Sequence, residues 1–269
     1  MEKLKYLLRY WNTIKYLKLI QIFSRLKILI FKRSISFEKP TYKRNNNFIL
    51  IDTIDKKENI NVQYEFNFLN KIGNLNKIGW IDNSFSKLWR YNQNYFDDLN
   101  SHNAKDKIEL HKRILTSWIN ENKDVSTVAW DPYPTSLRIV NIIKWIHKQS
   151  ISLDVIERSL AIQCEFLFNN IEYNIMGNHL LSNSKALIFG GIFFEDNKSR
   201  KWLHKGLSII KKEISEQILD DGGHYENSPM YHNLILEDMI DLVNLISNNK
   251  SKLTLEEETI LDDLKTQIK

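Results

Sequence analysis

The stretch Trp202–Gly223, WLHKGLSIIKKEISEQILDDGG, decides the fold of this chain because its apolar residues follow a helical period. Steps of four, three, four and four residues separate Leu203, Leu207, Ile210, Ile214 and Ile218. This spacing puts all five side chains on one face of an α-helix. Gly222 and Gly223 follow two aspartates and end the pattern. The stretch therefore predicts a long amphipathic helix with one face against a core.

Helical patterns of the same kind lie on both sides of this stretch. We predict helices from about residue 105, over 136–148, 153–170 and 179–194, along the apolar stripe that begins at Ile235, and over 254–269. The 136–148 helix is apolar on more than one side, which is typical of a helix buried between neighbours, and Thr135 is expected to cap it. About seven consecutive helices with short connections form antiparallel hairpins, arranged either as a solenoid or as a toroid.

The chain divides into three regions of different composition. Residues 1–45 form a basic amphipathic segment with apolar residues at helical intervals, among them Leu4, Leu7 and Leu8. Residues 46–104 are irregular with short strands, and residues 105–269 hold the helical hairpins. Within the middle region we predict strands at Phe48–Ile51 and Val62–Phe66, and turns at Gly73-Asn74 and Asp82-Asn83.

The positive charge is concentrated in the first region. Residues 1–45 carry twelve Lys and Arg against two Glu, a net charge of +10, so that residues 46–269 carry −5 in a chain of net charge +5. A basic amphipathic helix can lie on an anionic membrane surface, dock on protein, or attract an acidic polymer, and these three alternatives stay open. No nucleic-acid-binding motif surrounds the basic residues, and we expect no nucleic-acid partner.

The sequence carries no pattern of a metal site, a cofactor site or a membrane span, and we expect none of the three. Cys164 is the only cysteine, and neither a CxxC pair nor an HExxH spacing is present. No run approaches 18 uncharged apolar residues, and charges interrupt the apolar residues at the N-terminus, so that no signal peptide is visible. As written, the chain fits the cytoplasm or the face of a membrane, and its location stays open.

Two polar clusters, each at the start of a predicted helix, carry the candidate chemistry. The first contains Asn178 and His179. The second contains two histidines and two tyrosines after the paired glycines: His224, Tyr225, Tyr231 and His232. Asn178 can also be a simple N-cap, and Tyr231 a packing residue. Two helices that start two positions apart in an up-down array point the same way, so we expect both clusters to face one groove. The positive end of the helix dipole favours an anion, and hence a base, at Tyr231.

Five motifs occur along the chain in a fixed order. They are Leu88–Asn92 (LWRYN), Tyr133–Asn141 (YPTSLRIVN), Gly177–Leu181 (GNHLL), Glu216–His224 (EQILDDGGH) and Ser228–His232 (SPMYH). Together they strongly resemble the N-terminal helical domain of the heparinase II/III-like family of polysaccharide lyases. The resemblance reaches Tyr16–Lys18 and Gln21–Ile22, and so covers most of the chain. It implies an all-α fold, an incomplete (α/α) toroid of antiparallel helical hairpins with a short mixed N-terminal region.

The resemblance also implies β-elimination of uronate-containing polysaccharides, so that an acidic polysaccharide is the expected partner. In such lyases an amide or a histidine neutralises the uronate carboxylate, and a tyrosine removes the C5 proton. The matching residues are Asn178, with His179, as the neutraliser and Tyr231 as the base and acid; Tyr225 is the second candidate for the base. Seven residues are expected to bind the substrate: Trp89, Arg90, Tyr91, Asn92, His224, Tyr225 and His232.

The resemblance has one departure. Such lyases continue into a β-sandwich domain that supplies a further catalytic histidine, whereas this sequence ends at Lys269 without one. We therefore expect a helical domain truncated at its C-terminus, with a β-sandwich domain or chain as a partner. Two alternatives to an active lyase stay open. One is a catalytically incomplete glycan-binding fragment, and the other is a hydrolase with paired carboxylates among Asp220, Asp221 and Glu226.

Overall fold

The computed structural model describes residues 9–12, 14–38, 40–51 and 54–268, so that the predicted apolar positions Leu4, Leu7 and Leu8 lie outside the described residues. Besides the helical residues 9–12, the α-helices are α1 (Leu19–Ile30), α2 (Leu75–Ile78), α3 (Lys87–Tyr95), α4 (Ile108–Glu121), α5 (Pro132–Lys148), α6 (Asp154–Asn169), α7 (Gly177–Phe193), α8 (Asn197–Gln217), α9 (Pro229–Asn248) and α10 (Leu255–Ile268). Short 3₁₀ segments lie at Asp97–Asn100, Ala104–Lys107, Val128–Trp130 and Lys250–Lys252. An antiparallel hairpin joins β1 (Glu65–Phe68) to β2 (Lys71–Asn74).

The helices from α3 to α10 pack in two layers. Consecutive helices are in contact at α5–α6, α6–α7, α7–α8 and α9–α10, and the contact between α7 and α8 is the most extensive. Every second helix is also in contact, so that α3, α5, α7 and α9 form one layer and α4, α6, α8 and α10 form the other. The helices α4 to α10 lie where the apolar periods predict them. The described residues thus have the predicted fold class, antiparallel hairpins in an incomplete (α/α) toroid.

Two glycines allow α7 and α8 to approach closely. A Cβ atom at Gly191 would lie 2.6 Å from the backbone nitrogen of Leu203, and one at Gly206 would lie 2.8 Å from the carbonyl oxygen of Ser184. Both distances are shorter than van der Waals contact, so that neither position has room for a larger side chain. The two helices therefore pack backbone against backbone at these points.

Two helices begin earlier than we predicted. Thr135 does not cap α5, because the helix already starts at Pro132, and proline suits the first turn. Asn178 is not an N-cap either. That position belongs to Met176, which has a φ of +65°, and Asn178 is the second residue of α7. The side chain of Asn178 is therefore not used to cap the helix.

The predictions for residues 46–104 were only partly correct. The strand predicted at Val62–Phe66 begins instead at Glu65, and the predicted turn at Gly73-Asn74 lies within β2. Phe48–Ile51 does not form a strand, because its backbone pairs with side chains: the amides of Ile49 and Ile51 donate to the Oδ1 atoms of Asn249 and Asn244, each at 3.1 Å. Asn244 of α9 and Asn249, the residue that follows this helix, thus replace a neighbouring strand.

One continuous core joins the middle region to the helices, with buried side chains from Phe48 to Leu264. At its centre the buried guanidinium of Arg138 lies 4.0 Å from the ring centroid of Trp118, and its Nε donates to Gln163 at 2.7 Å. By contrast, α1 has no buried residue and is attached through polar contacts, including one from Arg25 to the carbonyl of Asn174. In the described part of the chain, no helix is long and apolar enough to cross a membrane.

Candidate active site

A cavity of about 510 Å³, which we call the central cavity, lies at the inner layer of helices. Each of four helices contributes residues at helical spacing. These are Leu88, Tyr91, Asn92 and Tyr95 from α3; Tyr133, Ser136, Leu137, Val140, Asn141 and Lys144 from α5; Asn178, His179, Ser182 and Lys185 from α7; and Met230, Tyr231, Leu234, Glu237 and Asp238 from α9. Lys56 and Asp97 complete the lining. The fold thus directs one stripe of each inner helix to a shared space.

Five of the predicted site residues line this cavity: Asn178, His179, Tyr231, Tyr91 and Asn92. Asn178 is the second residue of α7 and Tyr231 the third of α9, so that both side chains enter the cavity from the first turn of a helix. Among the described residues, no protein group forms a hydrogen bond with either side chain. An amide and a phenol therefore both remain available to a ligand in one cavity.

The ring of His179 is held by two neighbours. It stacks on Tyr133 with the ring centroids 4.3 Å apart, and its Nδ1 lies 3.2 Å from Oε2 of Glu172. The buried Glu172 is itself fixed, because its Oε2 and its backbone amide both contact the side chain of Asn183. Asn183 therefore satisfies its polarity inside the protein, whereas Ser182, beside it in the sequence, lines the cavity.

Trp89 and Arg90 do not line the cavity, contrary to our expectation. Trp89 is 1% exposed; it stacks on Phe85 and its Nε1 donates to the carbonyl of Lys71. Arg90 donates to the side chain of Asn83 instead. The reason is geometric: successive helical residues are rotated by about 100°, so four consecutive residues do not share one face. Tyr91 and the residue after it face the cavity, and the two before them do not.

Three residues of the second polar cluster also lie outside the lining of the central cavity. His224 is buried, with Nε2 3.2 Å from Oε1 of Gln217, and burial lowers its pKa. Tyr225 lies beside the start of α7, where a Cβ atom on Gly177 would be 3.1 Å from its hydroxyl. His232 follows Tyr231 on α9 and is rotated away from the cavity.

The floor of the cavity carries a buried network of charges that we did not predict. Nζ of Lys185 lies 2.7 Å from Asp238 and also contacts Asp241, and Nζ of Lys144 lies 2.6 Å from the same oxygen of Asp241. Although burial opposes ionisation, Lys185 and Lys144 hold the pKa of Asp241 below its usual range. Burial and repulsion by Lys185 lower the pKa of Lys144 to about 8. In the sequence, this network is indicated by charged residues that interrupt otherwise apolar helix faces.

Three of the four tyrosines that line the central cavity have raised pKa values. Burial raises the pKa of Tyr91, Tyr95 and Tyr133, and Asp131 raises that of Tyr91 further by accepting a hydrogen bond from its hydroxyl, with the two oxygens 2.5 Å apart. Burial therefore disfavours the phenolate form of all three side chains, and the hydroxyl of Tyr91 donates to Asp131. In the described part of the chain, no group of three His, Cys, Asp or Glu side chains is placed to hold a metal ion.

Comparison with known proteins defines first the class of fold. The chain matches the crystal structure of a heparan sulfate lyase mutant from Pedobacter heparinus with a TM-score of 0.56 and 16% identity, over 93% of this chain and 43% of that one. Among curated proteins, it is 29% identical over 151 residues to a heparin-sulfate lyase of Bacteroides thetaiotaomicron, 53% of this chain and 21% of that protein. It is 39% identical over 61 residues to a heparin-sulfate lyase of Bacteroides stercoris, 22% of this chain and 9% of that protein.

The family follows from a match over most of the sequence. The sequence model of the Heparinase II/III N-terminus family matches residues 41–258, and the chain therefore belongs to that family. This confirms the resemblance that the five motifs indicated. The matched part spans about a fifth or less of these curated lyases and under half of the solved one.

Proposed function

We propose that the central cavity binds a uronate-containing polysaccharide and cleaves it by β-elimination. The observation that supports this proposal most is the placement of Asn178 and Tyr231 in the same cavity, each in the first turn of an inner helix. The heparin-sulfate lyases among the relatives make heparan-type glycosaminoglycans the first substrates to test.

In the proposed reaction, the amide of Asn178 donates a hydrogen bond to the uronate carboxylate. This spreads the negative charge that develops when the C5 proton leaves, and so acidifies that proton. Tyr231, acting in its deprotonated form, takes the C5 proton; the C4–O bond breaks, and a C4=C5 double bond forms in the sugar. A proton then returns to the leaving oxygen, for which the protonated Tyr231 is the nearest candidate. His179, held by Glu172, assists Asn178 at the carboxylate.

The surroundings support Tyr231 as the base over the other tyrosines. Tyr91, Tyr95 and Tyr133 have raised pKa values, which suits donors better than bases. Tyr225, the second candidate, does not line the cavity, and burial raises its pKa. Tyr231 instead lies in the first turn of α9 and lines the cavity together with Asn178, without a hydrogen-bond partner among the described residues.

The experiment compares Tyr231→Phe and Tyr225→Phe with the parent chain. Incubation with heparan sulfate or another uronate polymer is expected to raise the ultraviolet absorbance, because β-elimination leaves an unsaturated uronate. Tyr231→Phe should reduce the initial rate at least about 10²-fold, and Tyr225→Phe should keep most of it. Asn178→Ala should also reduce the rate, because the carboxylate then loses its amide donor.

Three results would contradict the proposal. A Tyr231→Phe variant that keeps the parent rate would exclude Tyr231 as the base. Binding of the polymer without an unsaturated product would identify a glycan-binding domain instead of a lyase. Products with saturated ends would indicate a hydrolase, although Asp220, Asp221 and Glu226, proposed for that reaction, do not line the central cavity.

A further inference from the structure

A second cavity, of about 740 Å³, lies next to the central one. We call it the basic cavity. It opens between α1, the residues 31–34 that follow it, and residues 168–175, which form the end of α6 and the loop after it. Tyr91 lines both cavities, and Glu172 of the basic cavity contacts His179 of the central one. The two cavities are therefore adjacent, with Tyr91 at their boundary.

The two cavities differ in charge. The central cavity is lined by three lysines and three carboxylates, which balance. The basic cavity is lined by five basic residues, Lys27, Lys32, Arg33, Lys87 and Lys205, and by only two carboxylates, Asp131 and Glu172. The excess positive charge for an acidic polymer thus lies outside the cavity that holds Asn178 and Tyr231.

The two carboxylates of the basic cavity are already occupied. Asp131 accepts Arg33 at 2.7 Å, Lys87 at 3.1 Å and the hydroxyl of Tyr91. Glu172 is fixed by Asn183 and lies beside the ring of His179. Neither carboxylate is therefore free to neutralise the remaining lysines.

Two of those lysines are free to meet an anion. Lys32 is exposed and has no ion-pair partner among the described residues. Lys205 likewise has no acidic partner in the described part of the chain, and its Nζ lies 5.4 Å from the ring centroid of Tyr173. Phe23 and Phe31 also line the cavity and are 68% and 66% exposed. Lysines without ion-pair partners and exposed aromatic rings in one cavity can bind a sugar that carries anionic groups. The C–H face of such a sugar packs on an aromatic ring, and its sulfates or carboxylates pair with ammonium groups.

We propose that the basic cavity is a second glycan subsite, which binds the sulfate or carboxylate groups of sugar units adjacent to the one in the central cavity. This inference rests on the proposed function, since it extends the same polysaccharide across Tyr91. Its consequence is a preference for length: a chain that reaches both cavities binds through the unpaired lysines, and a disaccharide confined to the central cavity does not.

The test uses Lys32→Gln combined with Lys205→Gln, a change that removes two charges and keeps most of each side chain. Binding of a heparan sulfate disaccharide and octasaccharide is measured by calorimetry, with Tyr231→Phe present in every protein compared so that the octasaccharide is not cleaved during the titration. The octasaccharide affinity should fall about tenfold or more, because hydrogen bonds to charged groups are lost, and the disaccharide affinity should not change. Lys201→Gln is the matched control, because it lies one helical turn before Lys205 on α8 and does not line the basic cavity.

The outcomes separate this inference from the proposed function. If the variant binds the octasaccharide as tightly as the parent, the second subsite is wrong and the central cavity is unaffected. If the parent binds neither oligosaccharide, the proposed function itself fails, and the subsite with it. A further sign of the expected ion pairing is that added salt reduces the difference between the parent and the variant.

Discussion

At the scale of single residues, Asp98 shows how a buried charge links the middle region to the helices. Its Oδ2 accepts Nζ of Lys107 at 2.6 Å and Nε2 of His111 at 2.9 Å, and its Oδ1 accepts the backbone amide of Asn59 at 2.8 Å. We expect Asp98→Asn to lower the free energy of unfolding by about 3 kcal/mol, because Lys107 then remains buried without this partner. Urea denaturation followed by circular dichroism measures the loss.

Asp98 should also contribute to the acid sensitivity of the protein. Burial opposes its ionisation, but the hydrogen bonds from His111 and Lys107 lower its pKa overall. A lowered pKa stabilises the fold above the unfolded value of about 3.9, and this contribution disappears as the pH falls through the folded value. The unfolding free energy of the parent should therefore fall more steeply below pH 4 than that of Asp98→Asn. The exposed Asp263→Asn serves as the control, and equal slopes in all three proteins would contradict the prediction.

Some site residues were predictable from the sequence and others were not, for a physical reason. Asn178 and Tyr231 were found because polar residues after glycine or before an apolar stripe mark a helix start. Trp89 was misplaced because one step along a helix turns a side chain from cavity to core. Lys185 and its partner Asp241 are 56 residues apart, and only the fold brings them together. Local pattern thus predicts where a helix starts, but not which side chains meet across helices.

At the scale of elements, the contact between α7 and α8 depends on glycine. A methyl group at Gly191 would overlap the backbone of Leu203, which cannot rotate away as a side chain can. We expect Gly191→Ala to destabilise the protein by about 1–3 kcal/mol through overpacking, although alanine favours helices. The exposed Ser208→Ala on α8 is the matched control and should be neutral or slightly stabilising. Thermal unfolding compares the two, and an equally stable Gly191→Ala variant would contradict the close packing.

Long helices could be predicted from the sequence, whereas short elements could not. The helices α4 to α10 were predictable because each carries a long apolar stripe that the core requires. The segment Phe48–Ile51 has strand-like composition, yet side chains of Asn244 and Asn249, about 200 positions away, satisfy its backbone. Gly73, which suggests a turn, instead makes room for Trp89, whose ring would lie 2.7 Å from a Cβ atom there. Short elements thus depend on partners that lie far away in the sequence.

At the scale of the whole molecule, the core predicts how the chain unfolds. Phe66 and Trp80 of the middle region belong to the same continuous cluster of buried residues as Trp118 and Leu264 of the helices. We propose that residues 46–104 and 105–269 unfold as one cooperative unit, although their compositions differ.

Phe66→Ala tests this cooperativity, because Phe66 is 4% exposed and packs on Trp80 and Trp89 from outside the helical layers. The substitution should cost about 3–5 kcal/mol. The helical circular dichroism signal arises mainly from residues 105–269. If the core is shared, this signal disappears at a lower urea concentration in the variant than in the parent. If the middle region unfolds separately, the helical midpoint stays at the parent value while tryptophan fluorescence changes earlier. Val62→Ala, at a position 67% exposed in the same region, is the control and should leave both midpoints in place.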